Sequence, residues 1–131
     1  VELESRVTES ERLYRSIVDG VGEAIFLVRV EADGGFRYLA SNPSHERASG
    51  LTQEALAGAT PEEALSPEDA RHVVAQYRHC LEVGHATRYR ETLELPVGRT
   101  EWQTTLTPIR DETGRFSLIA GVAARVDPDD E

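Results

Sequence analysis

The spacing of apolar residues changes along the chain. In residues 1–19, Leu3, Val7, Ser10, Tyr14 and Ile17 step by four, three, four and three. That spacing predicts an amphipathic helix, with Leu13 and Val18 widening the stripe and Glu and Arg opposite it. Such a helix packs on the domain that follows or pairs with a copy of itself, and it is too short to specify a coiled coil alone. Gly20 and Gly22 end it. Next, AIFLVRVEADGGFRYLASN predicts a hairpin: a strand from Ile25 to Val30, a turn at Asp33-Gly34-Gly35 and a strand from Phe36 to Ala40. Asn42-Pro43 opens a short helix over 44–49 that stops at Gly50, and Thr52 caps a further turn, TQEALAG.

A longer helix begins at Ser66-Pro67-Glu68-Asp69, where a cap, an N-terminal Pro and first-turn acids coincide. It runs to about Val83 and ends at Gly84. Ala70, Val73, Val74, Tyr77, Cys80 and Leu81 fall within about 120° of its circumference, so that face needs a partner. Three strand-like segments follow: Ala86 to Leu95, Thr100 to Ile109 and Phe116 to Val126. They are separated by turns at Pro96-Val97-Gly98 and Asp111-Glu112-Thr113-Gly114. Short turns make adjacent antiparallel pairing the simplest connection. The expected class is α+β: five antiparallel strands, helices over one face, and a flanking N-terminal helix. A curved sheet under a long helix encloses a pocket. The divisions are 1–20 for the flanking helix, 21–127 for the domain and 128–131 for an acidic tail or linker.

At 131 residues this is one domain's length. Its 14 basic residues are all Arg against 24 acids, a formal net charge of −10. That surface repels phosphate backbones and anionic lipid, so neither nucleic acid nor a membrane surface is an expected partner. No apolar run approaches the roughly 18 residues of a membrane span, and no signal-peptide pattern is present. The single cysteine, Cys80, forms no internal disulfide and founds no cysteine-based zinc cluster. A cytoplasmic piece of a longer protein is the expectation.

The segment FRYLASNPSHERASGLTQEALAG, residues 36–58, resembles the PAS (Per–Arnt–Sim) sensory family. The matching positions are Phe36, Tyr38, Asn42, Pro43, Gly50, Leu51, Leu56 and Gly58. WQTTLTPIRDETGRFSLIAGV, residues 102–122, is similar to that family's last hairpin, and SERLYRSIVDGVGEAIFLV to its lead-in helix and first strand. The family often closes on Asp-Ile-Thr. Here Ala124-Arg125-Val126-Asp127-Pro128 stands instead, and Pro128 interrupts a helix continuing directly.

The resemblance implies a regulatory module of a larger signalling protein, such as a histidine kinase of a two-component system, a cyclic-di-nucleotide enzyme or a transcription regulator. It would sense a small molecule or partner and pass the change to an output domain. The alternatives are a ligand-free dimerisation module, pairing through the N-terminal helix, and, remotely, a stand-alone enzyme. Haem and flavin are not expected. His72 and His79 lie at or beyond the edge of the apolar stripe, with His45 and His85 elsewhere. Light–oxygen–voltage relatives carry their reactive Cys in a Gly-x-Asn-Cys-Arg-Phe-Leu-Gln segment, where this chain has GATPEEALS. Cys80 reads as a small apolar filler. No metal site is expected. Glu62, Glu63 and Asp69 sit at helix starts, where acids stabilise any helix, and no catalytic motif accompanies them.

The expected pocket lining is Tyr38, Asn42, Val73, Tyr77, Thr92, Trp102, Thr104 and Leu106. Asn42 is either a helix cap or a ligand donor, and Trp102 is core or pocket wall. Arg90 shares a strand face with Thr92: facing inward it would favour a carboxylate ligand, facing outward it would pair with a surface acid.

Overall fold

The computed structural model describes residues 23–126. The expected flanking helix 1–20, the dimer seam assigned to it and the tail 128–131 lie outside the described residues. The chain forms β1 (Ala24–Val30), β2 (Phe36–Ser41), α1 (Pro43–Ser49), α2 (Gln53–Leu56), α3 (Pro61–Ala64), α4 (Pro67–Val83), β3 (Thr87–Leu95), β4 (Gly98–Arg110) and β5 (Phe116–Arg125). The strands make one antiparallel sheet in the order β2-β1-β5-β4-β3. The last three strands pair as consecutive hairpins, while β5 inserts between β1 and β4.

Local chemistry accounts for each element. Asn42, Thr52, Thr60 and Ser66 each accept the backbone N–H three residues on, so every helix starts on a capped turn. α3 is an addition to the sequence expectation. Thr60 and Glu63 satisfy each other's backbone donors in a full capping box, which holds a helix of only four residues. Gly50 ends α1 at φ 82°, and a Cβ there would lie 2.9 Å from Pro96 Cβ. The position therefore demands glycine on both conformational and steric grounds.

Both sheet edges are covered. On β2, Tyr38 N–H donates to Ala59 O (2.8 Å) and Gly58 N–H to Tyr38 O (2.7 Å). On β3, Glu94 N–H donates to the buried Asp69 Oδ2 (2.8 Å), which ties the first turn of α4 to the sheet. Three edge groups that would otherwise be open to another strand are thus satisfied.

The inner face of the sheet is built in rows. Phe26, Gly121 and Leu106 face one another across β1, β5 and β4. The neighbouring row is Ala24, Ala123, Thr104 and Tyr89. Three small residues in that row leave a hollow in the sheet surface, and α4 passes above it. Val73, Tyr77 and Cys80 are the buried side of α4 and join this core.

Candidate functional site

The hollow is a cavity of about 50 Å³ between the sheet and the helices. Its walls come from every layer: Phe26 and Tyr38 from the first hairpin, His45, Ser49, Leu51, Leu56 and Leu65 from the α1–α3 region, and Val73 and Tyr77 from α4. The other lining residues are Tyr89, Glu91, Leu93, Leu95, Trp102, Thr104 and Ala123 on β3, β4 and β5. Of the expected residues, Tyr38, Val73, Tyr77, Trp102 and Thr104 meet here.

Three others do not. Asn42 is fully buried but is spent on structure: Oδ1 accepts from His45 N–H (2.9 Å) and Ile25 N–H (2.9 Å), and Nδ2 donates to Glu23 O (2.8 Å). Leu106 is core beside the cavity, and its carbonyl takes the Cys80 thiol contact at 3.7 Å. Thr92 is exposed, as is Arg90, which stands 3.7 Å from Glu101 on the outside. The inward parity of β3 is Tyr89, Glu91, Leu93 and Leu95, so the expected face was shifted by one residue. The apolar residues at 89, 93 and 95 carried the correct parity.

The polar contents of the cavity are few. The Tyr38 and Tyr77 hydroxyls hydrogen-bond at 2.8 Å, joining β2 to α4, and burial pushes both phenols well above their ordinary range. Each ring also meets Phe26, Tyr38 edge-on at 6.1 Å and Tyr77 tilted at 6.4 Å. The Trp102 indole N–H donates to Thr100 Oγ1 (2.7 Å), so it is already satisfied.

Glu91 is the acid of the site. Its side chain is 4% exposed. Oε2 accepts from Thr104 Oγ1 at 3.3 Å, whereas Oε1 has no hydrogen bond. The nearest base is His72 Nε2, 3.6 Å from Oε1 on a side chain 46% exposed. Burial raises the Glu91 pKa, against lowering by His72, Tyr89 and Thr104.

His45 was not among the expected site residues. Burial lowers its pKa to about 4, so it is neutral near pH 7. Ser49 Oγ lies 3.5 Å from its Nδ1, but that hydroxyl donates to the His45 carbonyl at 2.7 Å. The pair is thereby a helix contact rather than an activated nucleophile. Among the described residues no group of His, Cys, Asp and Glu is arranged to hold a metal ion, and no helix is long and apolar enough to cross a membrane.

Two stability measurements probe this interior. Removing one hydroxyl of the tyrosine pair leaves the other buried without its partner. Tyr38→Phe or Tyr77→Phe is expected to cost about 1–2 kcal/mol each, with the double variant costing much less than their sum. A urea-unfolding double-mutant cycle checks this, and strict additivity would refute it.

The second is acid sensitivity. His45 has a folded pKa of about 4 against an ordinary 6.5. Its contribution is therefore complete above pH 6.5 and is lost as pH falls through 4, a loss of about 3 kcal/mol by pH 4. Glu91 runs the other way, its raised pKa giving stability at low pH that fades as pH rises. In urea titrations at pH 7 and pH 4, His45→Gln should lose less stability than the parent. Equal losses would remove His45 as the sensor of acid.

A sequence profile described as PAS fold matches residues 18–127, and the chain belongs to this family. PAS domains are typically sensory modules of signalling proteins. The PAS domain of a Colwellia psychrerythraea protein superimposes with TM-score 0.71 at 16% identity, covering 88% of this chain and 95% of that one. A Rhodobacter sphaeroides LOV protein gives 0.73 at 15% identity, over 92% and 69%. A domain of a sensory box sensor histidine kinase/response regulator from Geobacter sulfurreducens gives 0.65 at 20%, over 89% and 95%. At such identities the likeness is one of fold. No curated protein matches the chain.

A flavin of the light–oxygen–voltage type does not fit these residues. Cys80 faces the carbonyls of His85 and Leu106 rather than the cavity, burial raises its pKa, and the cavity holds about 50 Å³.

Proposed function

We propose that this PAS domain is a ligand-responsive sensory module within a longer cytoplasmic signalling protein, acting by binding rather than by catalysis. The observation that carries this reading is the cavity itself. Its walls are mostly aromatic and aliphatic and include one buried carboxylate, Glu91, whose Oε1 has no hydrogen bond and only the half-exposed His72 beside it. One pair of its walls, Tyr38 and Tyr77, also positions α4, which the Asp69–Glu94 bond outside the cavity holds to β3. A guest that loosens or tightens these contacts favours one seating of α4 over another, which is a population shift.

The topology supplies a route outward. Ala24 pairs with Ala123, so the start of β1 and the end of β5 lie side by side. Segments before and after the domain therefore leave the same end of the sheet. The amphipathic stripe of residues 1–19 is the natural element to pair two copies, and an output domain of the same chain would read the change. The histidine kinase origin of one fold neighbour supports a two-component parent. The net charge of −10 argues against nucleic acid or a membrane surface as the partner.

A second reading has its own support. The cavity, at about 50 Å³, is well below the roughly 300–1,000 Å³ of common ligand pockets. A module that only dimerises would keep this interior filled by its own side chains. Native mass spectrometry of the purified chain separates the two. An added small mass that is lost on denaturation supports the sensor, while a dimer of unadorned chains supports the interaction module.

A further inference from the structure

The site's charges specify what kind of guest it takes. Among the described residues lining the cavity, Glu91 is the sole acid and His45, held neutral by burial, the sole base. An anionic guest would meet a carboxylate and no cation. A purely apolar guest would leave Glu91 Oε1, already without a hydrogen bond, buried and unsatisfied. A protonated amine resolves both problems, because its N–H groups donate to that oxygen while its charge offsets the carboxylate's. The rest of the wall suits it too: Tyr38, Tyr77, Tyr89, Trp102 and Phe26 offer π faces to a cation.

The surface on the outer side of Glu91 carries the same sign. An open groove of about 430 Å³ runs beside β3, lined by Glu68, Asp69, His72, Arg90, Glu91, Thr92 and Glu101. Glu91 is the residue common to groove and cavity. Arg90 lies 3.7 Å from Glu101, which leaves Glu68 and the buried Asp69, one of whose oxygens accepts from Glu94 N–H, as the other acids of the groove. An acid-lined vestibule concentrates cations ahead of the site. The half-exposed His72 ring, 3.6 Å from Glu91 Oε1, stands on the groove side of the carboxylate.

We infer that the cavity is a receptor site for a small alkylammonium ion, with the Glu91 carboxylate as its counter-ion. A free volume of about 50 Å³ limits the guest to a few heavy atoms, given that one water needs about 10–15 Å³ by the same measure. This rests on the sensory reading above and adds the chemical class.

The test uses guests of matched shape and different charge: isopropylammonium, isopropanol and isobutyrate. Each is titrated into the purified chain at constant ionic strength, read by the fluorescence of Trp102, the only tryptophan, and by the thermal midpoint. Saturable binding of isopropylammonium alone is expected. Glu91→Gln keeps an oxygen for Thr104 and should retain the fold by circular dichroism, while weakening ammonium binding at least about tenfold. Tighter binding of isopropanol or isobutyrate would overturn the ammonium assignment and leave the sensory reading intact. Undiminished ammonium binding by Glu91→Gln would overturn the role of Glu91, and silence from all three guests would overturn the proposal. Native mass spectrometry then judges the sensory reading independently.

Discussion

Asn42→Ala is expected to destabilise the domain by about 3 kcal/mol or more, the largest effect of any single side-chain truncation considered above. Asn42 is fully buried, and its one amide joins two elements. Oδ1 takes both the His45 N–H at the start of α1 and the Ile25 N–H of β1, and Nδ2 reaches Glu23 O. Alanine would leave three backbone groups without this partner at once, the buried His45 N–H and the part-buried Ile25 N–H and Glu23 O. A cap alone contributes about 1 kcal/mol, and each further buried bond roughly as much. Asn42→Ser should recover about 1 kcal/mol, because a hydroxyl can still cap α1 but cannot span to β1. Urea unfolding of the three proteins decides it. A loss under about 1 kcal/mol for alanine would show that the β1 contacts contribute little.

Gly121→Ala is expected to cost about 2–3 kcal/mol although it adds one methyl group. Gly121 pairs with Phe26 on one side and Leu106 on the other, and the tip of the Phe26 ring occupies the space where its Cβ would stand. A Cβ would fall within the atoms of that ring, so Phe26 must leave its rotamer or the strands must part. Phe26 lines the cavity and contacts Tyr38, His45 and Tyr77, so the disturbance reaches the site. The check is a cycle with Phe26→Ala. If overlap is the cause, the double variant should lose at least about 1 kcal/mol less than the sum of the single losses. Additive losses would place the damage elsewhere.

The local elements were readable because their causes are local. Ser66-Pro67-Glu68-Asp69 starts a helix whatever lies above it, and the α4 stripe of Val73, Tyr77 and Cys80 is buried as its period predicts. Trp102, Thr104 and Leu106 alternate correctly on β4. Asn42 was legible as a cap within its own helix. Its second attachment, to residues 17 and 19 positions earlier, was not.

Among the described residues, sequence alone determined the elements other than α3, with their turns and caps, and membership of an α+β class with five strands. Tertiary structure alone decided that β5 enters between β1 and β4 and that Tyr38 and Tyr77, 39 residues apart, share a hydrogen bond. The reason is one of range. Helix and turn preferences act over three or four neighbours, whereas a cavity is made by side chains that only the closed sheet brings within reach.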